Sequence, residues 1–258
     1  MKYIVSLSGG IASAVAADRA IKRYGKENVT LWFADTLWED EDLYRFLLDL
    51  ESMWGMKIIR QSEGNNPLEV AEDKQIIPNS HIAPCSYELK IKPFVDYLDT
   101  IEKPVTVLLG MDYTEMHRMK APKKNYEALE GVTVDYPLMW KPLEFRNYFD
   151  IVKHEWRLEI PRLYVMGFKH NNCGGRCVKQ GIKEWKRLSV HFPDRFDEVS
   201  KWEQEQRAKG GPREKFSIAK DQSGGESSSL TLEEIRERYI DIDKDSGQED
   251  LFSCFCSY

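Results

Sequence analysis

Two serines and two glycines stand where a short apolar run ends, in the order Ser8, Gly9, Gly10 and Ser13. Glycine lets the backbone approach a ligand closely and adopt conformations that other residues avoid. A helix that starts here offers unpaired N–H groups and a positive dipole end to phosphate. The Walker A spacing is absent, because no Gly-Lys-Ser or Gly-Lys-Thr follows. The segment therefore indicates a different phosphate loop or, alternatively, an ordinary tight turn.

A second polar group follows another apolar run. Asp112, Glu115 and Arg118 come directly after residues 105–110, and Asp35 follows residues 29–34 in the same way. An arginine can hold phosphate or a carboxylate through its fork of donors. These side chains are candidates for a binding site, and the alternative is a solvated loop after each strand.

Four of the five cysteines form two close pairs, Cys173 with Cys177 and Cys254 with Cys256. Four thiolates can build a tetrahedral metal site or hold an iron–sulfur cluster. Zinc ribbons favour two residues between paired cysteines, whereas these pairs have three and one. The spacing therefore favours an iron–sulfur cluster, with zinc as the alternative. Free thiols without a metal are the simpler interpretation.

The fifth cysteine, Cys85, follows Pro84, and Lys90 lies downstream on a predicted helix. A helix N-terminus and nearby cations lower the pKa of a thiol and favour the nucleophilic thiolate. Cys85 is thus a candidate nucleophile, sulfur carrier or cluster ligand beside Cys173 and Cys177. An inert buried cysteine has the same local sequence.

The elements that must position these residues alternate along the chain. Short apolar runs predict strands, and segments with apolar residues three and four apart predict helices between them. The predicted strands are residues 3–7, 29–34, 57–60 and 105–110. This order predicts an α/β fold with a doubly wound, mostly parallel sheet and helices on both faces. Ligands of such sheets bind beyond the carboxyl ends of the strands, where the polar residues stand.

Regularity declines in the last third of the chain. Residues 209–229 are rich in Gly, Ser, Lys and Asp, which predicts a flexible loop, and Thr231 with Glu234 predicts a capped helix. We expect a nucleotide-binding domain over residues 1–165 and an irregular, cysteine-containing helical and loop region over residues 166–258.

Composition narrows the class of protein. The 258 residues carry a net charge of −6, which argues against a general nucleic-acid binder. No apolar run approaches the roughly 18 residues of a membrane span, and the N-terminus lacks the pattern of a signal peptide. We expect a cytoplasmic protein that has no membrane partner, and the Trp-rich segments are compatible with a homo-oligomer.

The motifs and their order resemble the adenine nucleotide alpha-hydrolase superfamily, whose members have a pyrophosphatase loop of the form Ser-Gly-Gly-x-x-Ser. The chain is most similar to the phosphoadenosine phosphosulfate reductase-like branch, which includes bacteriophage members. Asp35-Thr36 resembles the Asp-Thr after the second strand in that branch. The segments that begin at Cys85 and Gly110 resemble its cysteine–lysine and acidic–arginine segments, and the likeness covers about residues 3–180.

The resemblance implies an enzyme that uses ATP and Mg²⁺, cleaves between the α and β phosphates and adenylates an acceptor. Its reaction would serve sulfur transfer or the modification of a nucleotide or nucleobase. Lys90 would neutralise phosphate charge, Asp35 would lie near ribose or magnesium, and Arg118 would hold phosphate or the acceptor. The acceptor, a small molecule or a nucleic acid, is not specified by the sequence.

Two alternatives stay open. Ile11 and Ala12 stand where many relatives have Lys or Asp, which favours a non-catalytic nucleotide-binding module. Asp35-Thr36 and Cys85 favour a reductase, but the Glu-Cys-Gly-x-His signature of sulfonucleotide reductases is absent near the C-terminus. We therefore rank adenylation first.

Overall fold

The computed structural model describes residues 2–141, 147–221 and 227–243. The strands are β1 (Lys2–Leu7), β2 (Val29–Ala34), β3 (Ile58–Gln61), β4 (Val105–Leu109), β5 (Val132–Asp135), β6 (Ala219–Asp221) and β7 (Ser228–Leu230). The α-helices are α1 (Ile11–Tyr24), α2 (Glu41–Trp54), α3 (Pro67–Asp73), α4 (Pro84–Ser86), α5 (Lys92–Asp99), α6 (Lys120–Tyr126), α7 (Pro137–Trp140), α8 (Tyr148–Asp150), α9 (Arg162–Val165), α10 (Ile182–His191), α11 (Pro193–Ala208) and α12 (Leu232–Glu237). Single turns of 3-10 helix cover Lys26–Asn28, Tyr113–Arg118, Cys173–Gly175 and Gly211–Lys215, and π-helical turns cover Tyr87–Ile91 and Ile151–Glu155.

The first five strands form one parallel sheet in the order β3-β2-β1-β4-β5. The predicted α/β fold is therefore confirmed. The strands β2 and β3 lie on one side of β1, and β4 and β5 lie on its other side. The direction in which strands are added therefore reverses between β1 and β4. A crevice at such a reversal point is where open parallel sheets bind ligands. The residues that follow β1 and β4 are the glycine loop and Gly110.

Helices cover both faces of the sheet because the central strands are apolar on both sides. Val5 and Leu108 belong to a core with α1, α2 and the 148–155 segment, whereas Ile4 and Val107 belong to a core with α5 and α6. Strands that are buried on both faces are typical of parallel sheets. This burial holds the carboxyl ends of β1, β2 and β4 in fixed register.

A third apolar core joins the two halves of the chain. It contains Trp38, Leu89 and other residues from before β4, together with Trp185, Phe196 and Leu232 from the C-terminal region. The C-terminal region thus packs against loops of the first half. The domain boundary at residue 165 stays a prediction. The shared core contains residues from both sides of this boundary.

A buried carboxylate fastens the C-terminal region to the loop after β2. Asp40 is fully buried, and its Oδ2 accepts hydrogen bonds from Arg162 Nη2 at 2.9 Å and Arg195 Nη1 at 2.6 Å. Its Oδ1 also caps α2 by accepting from the N–H of Asp42 at 2.9 Å. Burial raises the pKa of Asp40, but the two arginines and the cap outweigh burial and hold this pKa below its usual value.

The structure differs from the sequence analysis at two places. The predicted flexible loop at 209–229 contains a 3-10 turn and the antiparallel pair β6 and β7. The strand β5 was not predicted, since its four residues are too short for a clear period. The capping box of Thr231 and Glu234 is confirmed. No helix within the described ranges is long and apolar enough to cross a membrane.

Replacement of Asp40 by Asn should lower the free energy of unfolding by about 3–5 kcal/mol, because two partly buried arginines would lose their carboxylate. Urea unfolding followed by circular dichroism measures this change. Glu41→Gln is the matched control, since Glu41 pairs with the same two arginines but its side chain is 78% exposed. The control should cost at most about 1 kcal/mol. Equal losses in both variants would contradict the assigned importance of the buried carboxylate.

Candidate active site

The glycine loop is held in shape by Ser13. Its Oγ accepts hydrogen bonds from the N–H and Oγ of Ser8, both at 3.1 Å, and donates to the carbonyl oxygen of Gly10 at 2.8 Å. Gly9 has φ = +77°, and a Cβ there would lie 2.6 Å from the side chain of Leu43. A side chain at this position would therefore meet both backbone strain and a steric clash. The conformation of this loop therefore requires glycine at residue 9, and its role as a phosphate loop stays a prediction.

Helix α1 begins directly after this loop. Gly10 occupies its N-cap with extended backbone angles, and neither a capping side chain nor an acidic residue lies in its first turn in the described structure. Gly10, Ala12 and Ser13 line the crevice, so the positive end of the helix dipole lies beside it. This arrangement suits an anion.

Gly110 brings the end of β4 against the start of α1. A Cβ at Gly110 would lie 2.6 Å from Cα of Ser13, which is a backbone atom that cannot move aside. Only glycine permits this approach. Because of it, the 3-10 turn Tyr113–Arg118 lies beside the glycine loop, and Glu115 lines the same cleft as Ser8 and Ser13.

Glu115 is the acidic residue of this turn whose pKa is raised. It is buried, forms an ion pair with Arg118 and lies near Asp112. Burial raises the pKa of Glu115, Arg118 lowers it and the nearby Asp112 raises it, and together they bring this pKa to about 7. Asp112 itself accepts hydrogen bonds from the N–H of Thr114 and the hydroxyl of Tyr148, each at 2.9 Å. A carboxyl with a pKa near neutrality can exchange protons with a ligand.

The loop after β2 is ordered by its own hydrogen bonds. Asp35 Oδ1 accepts from the N–H of Leu37 at 2.9 Å and from the hydroxyl of Tyr44 at 2.7 Å. Buried Glu39 accepts from Thr36 Oγ1 at 2.9 Å and from the N–H of Cys173. Burial raises the pKa of Glu39, and the nearby charge of Lys90 opposes this effect. Glu39, which the sequence analysis did not select, therefore links the β2 loop with Cys173.

A second cavity lies on the other side of Ser8. Its empty space is about 310 Å³, and it is lined by Ser6, Leu7, Ser8, Trp32, Ala34, Lys90 and Tyr126. The indole N–H of Trp32 is buried and has no hydrogen-bond partner within the described residues. Lys90 therefore lines a cavity with aromatic and apolar walls beside the glycine loop, and its predicted role at a phosphate stays a prediction.

Residues that the sequence analysis missed also line the cleft beside the glycine loop. It measures about 380 Å³ including space open to solvent, and Tyr164, His170, Asn171 and Asn172 form one of its walls. Asn171 Nδ2 donates a hydrogen bond to the carbonyl oxygen of Gly9 at 3.0 Å. The C-terminal region thus completes the site around the glycine loop. The sequence signal that could have found it is the polar run His-Asn-Asn directly before Cys173.

Cys85, Cys173 and Cys177 are buried in one apolar core. Cys173 has φ = +55°, which is unusual for a residue with a side chain. Among the residues that the structure describes, no three His, Cys, Asp or Glu side chains are arranged to hold a metal ion. Cys254 and Cys256 lie outside the described residues, so the four-cysteine metal site stays a prediction.

A parallel sheet whose first strand leads through a glycine loop into a helix defines an α/β nucleotide-binding domain of the adenine nucleotide alpha-hydrolase type. The chain belongs to the phosphoadenosine phosphosulfate reductase domain family, whose model matches residues 2–169. The family resemblance of the motifs is therefore confirmed. This is a family of nucleotide-using enzymes related to sulfur transfer. No curated protein matches the chain in a sequence comparison.

Replacement of Gly110 by Ala should weaken the binding of ATP at least about tenfold, because the new methyl group would push the first turn of α1 out of place. Isothermal titration calorimetry measures the affinity. Gly181→Ala is the control, since a Cβ at Gly181 meets no atom within 4 Å and its φ of −76° suits alanine. If Gly110→Ala binds ATP as tightly as Gly181→Ala, the crevice at Gly110 is not the nucleotide site.

Proposed function

We propose that the protein cleaves ATP between its α and β phosphates and transfers AMP to an acceptor. In this reaction a nucleophilic atom of the acceptor bonds to the α phosphorus. The bond from that phosphorus to the bridging oxygen breaks, pyrophosphate leaves, and a base takes the proton of the nucleophile. The observation that carries the proposal is the uncapped start of α1 beside the Ser8–Ser13 loop, with Glu115 in the same cleft.

The two cavities that share Ser8 suit the two ends of a nucleotide. The cavity with Trp32 and Tyr126 has flat aromatic walls and an unpaired indole N–H that can donate to a base nitrogen. The cleft on the other side offers the N–H groups of α1 to phosphate. Lys90 lines the cavity with Trp32 and Tyr126, where its ammonium would neutralise charge on the α phosphate.

Glu115 is the residue best placed to accept the proton. It lines the phosphate cleft, and a base is most effective when its pKa lies near the working pH. Arg118 is paired with Glu115 and would hold the carboxylate in position once it is ionised. Within our proposal, Ser8, Gly9, Gly10 and Ser13 bind the phosphates, and Asp112 positions the 3-10 turn through its hydrogen bonds.

Mg²⁺ and an iron–sulfur cluster belong to the proposal as expectations. Asp35 uses Oδ1 for its two hydrogen bonds, which leaves Oδ2 as a ligand for Mg²⁺. A bound Mg²⁺ would neutralise phosphate charge. Cys173 and Cys177 supply two thiols of the predicted cluster, and zinc is the alternative metal. Metal analysis of protein that is purified without oxygen distinguishes the two metals.

The rate of pyrophosphate release should rise with pH through about 7 and then level off, because Glu115 must be ionised to accept a proton. Glu115→Gln should lower this rate by about 10²–10⁴-fold and remove the inflection. Asp112→Asn should move the inflection to lower pH, since the charge of Asp112 raises the pKa of Glu115. The assay follows AMP and pyrophosphate at saturating ATP with water as the acceptor.

His170 is a second ionisable side chain that lines the cleft. His170→Gln is therefore the control for the pH profile. The role of Glu115 is refuted if Glu115→Gln keeps the inflection while His170→Gln loses it. A loss of all pyrophosphate release in Gly110→Ala, but not in Gly181→Ala, would support the loop as the phosphate site.

A second candidate function is the reduction of a sulfonucleotide, which the family match and the position of Cys85 favour. Cys85 is buried in the core that also holds Cys173 and Cys177. Incubation with a phosphosulfate nucleotide and a dithiol reductant should release no sulfite if adenylation is the activity. Sulfite release that Cys85→Ser abolishes would establish the reductase instead.

A further inference from the structure

One wall of the cleft beside the glycine loop includes two buried hydrogen-bond acceptors. Asn171 and Asn172 are 2% and 4% exposed, and both line the cleft. The Oδ1 atom of each is buried and has no hydrogen-bond partner within the described part of the chain. Glu115 adds a carboxylate to the same cleft. Buried acceptors are normally satisfied, so this wall calls for a ligand that brings hydrogens.

The orientation of the first amide is fixed by the fold. Asn171 Nδ2 donates to the carbonyl oxygen of Gly9 at 3.0 Å, and an exchange of N and O would place two acceptors against each other. Its Oδ1 must therefore be the unpaired atom. Asn172 Nδ2 donates to Sγ of Cys173 at 3.7 Å, so its Oδ1 lies on the other side of this amide. Two carbonyl-type oxygens thus remain for the ligand.

The chemistry of this wall excludes several occupants. A hydrosulfide or thiolate anion is itself an acceptor, and it would be repelled by two amide oxygens and a carboxylate, whereas in our proposal the phosphates of ATP lie on the opposite side of the cleft, at the N–H groups of α1. A hydroxyl group brings a single hydrogen. Nitrogen in ammonia or a primary amine brings two or three hydrogens on one atom, which matches a wall of several acceptors.

We propose that this cleft binds the nucleophile of the reaction as ammonia or a primary amine, with its hydrogens on Asn171 Oδ1 and Asn172 Oδ1. This inference rests on the proposed function and names its acceptor class. The lone pair of the nitrogen attacks the α phosphorus, the bond to the bridging oxygen breaks, and pyrophosphate leaves. The extra proton of the nitrogen passes to the carboxylate of Glu115. With ammonia the products are adenosine 5′-phosphoramidate, pyrophosphate and one proton.

The test compares nucleophiles within one reaction. The full-length protein is incubated with ATP and ammonium chloride, and mass spectrometry measures the ratio of phosphoramidate to AMP. This ratio does not depend on the amount of active enzyme, so partial loss of folded protein does not affect it. Parallel reactions contain methanol or sodium sulfide in place of ammonium chloride.

The wild-type ratio should increase with ammonia concentration. Asn172→Leu keeps the approximate size but removes the acceptor, and it should lower the ratio at least about tenfold. Asn172→Asp restores an acceptor oxygen and should recover most of it. Asn171→Leu should also lower the ratio, although it additionally removes the contact with Gly9.

Three results would overturn the inference alone: AMP formation without phosphoramidate, a ratio that Asn172→Leu leaves unchanged, or a preference for the methyl ester or the phosphorothioate. The second of these would show that a structural water satisfies the amide oxygens. Absence of pyrophosphate release with every nucleophile, while ATP still binds, would instead refute the proposed function. The two failures are therefore distinguishable.

Discussion

The buried carboxylate of Asp40 holds the loop after β2 against the C-terminal region of the chain. It caps α2 and at the same time receives Arg162 and Arg195, so one side chain joins the β2 loop to two later helices. Its neighbour Glu39 holds the backbone of Cys173. The polar segment before Cys173 can reach the glycine loop only if these contacts set its position. Such a buried network contributes more to fixing the positions of these segments than to the net free energy of folding, since desolvation offsets much of its electrostatic attraction.

The part of the molecule that was predictable from sequence is the part encoded locally. The strands before the glycine loop and before Asp35, together with the strand that leads to Gly110, are apolar runs, and each ends in residues with a clear conformational or chemical preference. Their common location at one edge of the sheet follows from parallel order alone. The close approach of Gly110 to Ser13 fits this pattern, because both follow adjacent strands.

The remaining features depend on contacts between distant segments, for which one sequence carries no local signal. Asn171 binds a residue 162 positions earlier, and Tyr164 joins the same cleft from a short helix. In the sequence, Glu115 looks like an ordinary acidic residue of a loop. Only its burial beside Asp112 brings its pKa near neutrality. In the sequence, Trp32 looks like an ordinary strand residue, yet it lines a cavity, and its buried indole N–H has no hydrogen-bond partner among the described residues.

The matched domain ends at residue 169, and the wall of amide oxygens begins two positions later. The cleft is therefore composite: its glycine loop comes from the matched domain, whereas Asn171 and Asn172 come from a short segment outside it. In our proposal, the matched domain holds the nucleotide and residues 170–172 select its reaction partner. Exchange of this segment alone would then change which reactant is admitted while the sheet and loop keep their geometry, which makes it the place to engineer the choice of acceptor.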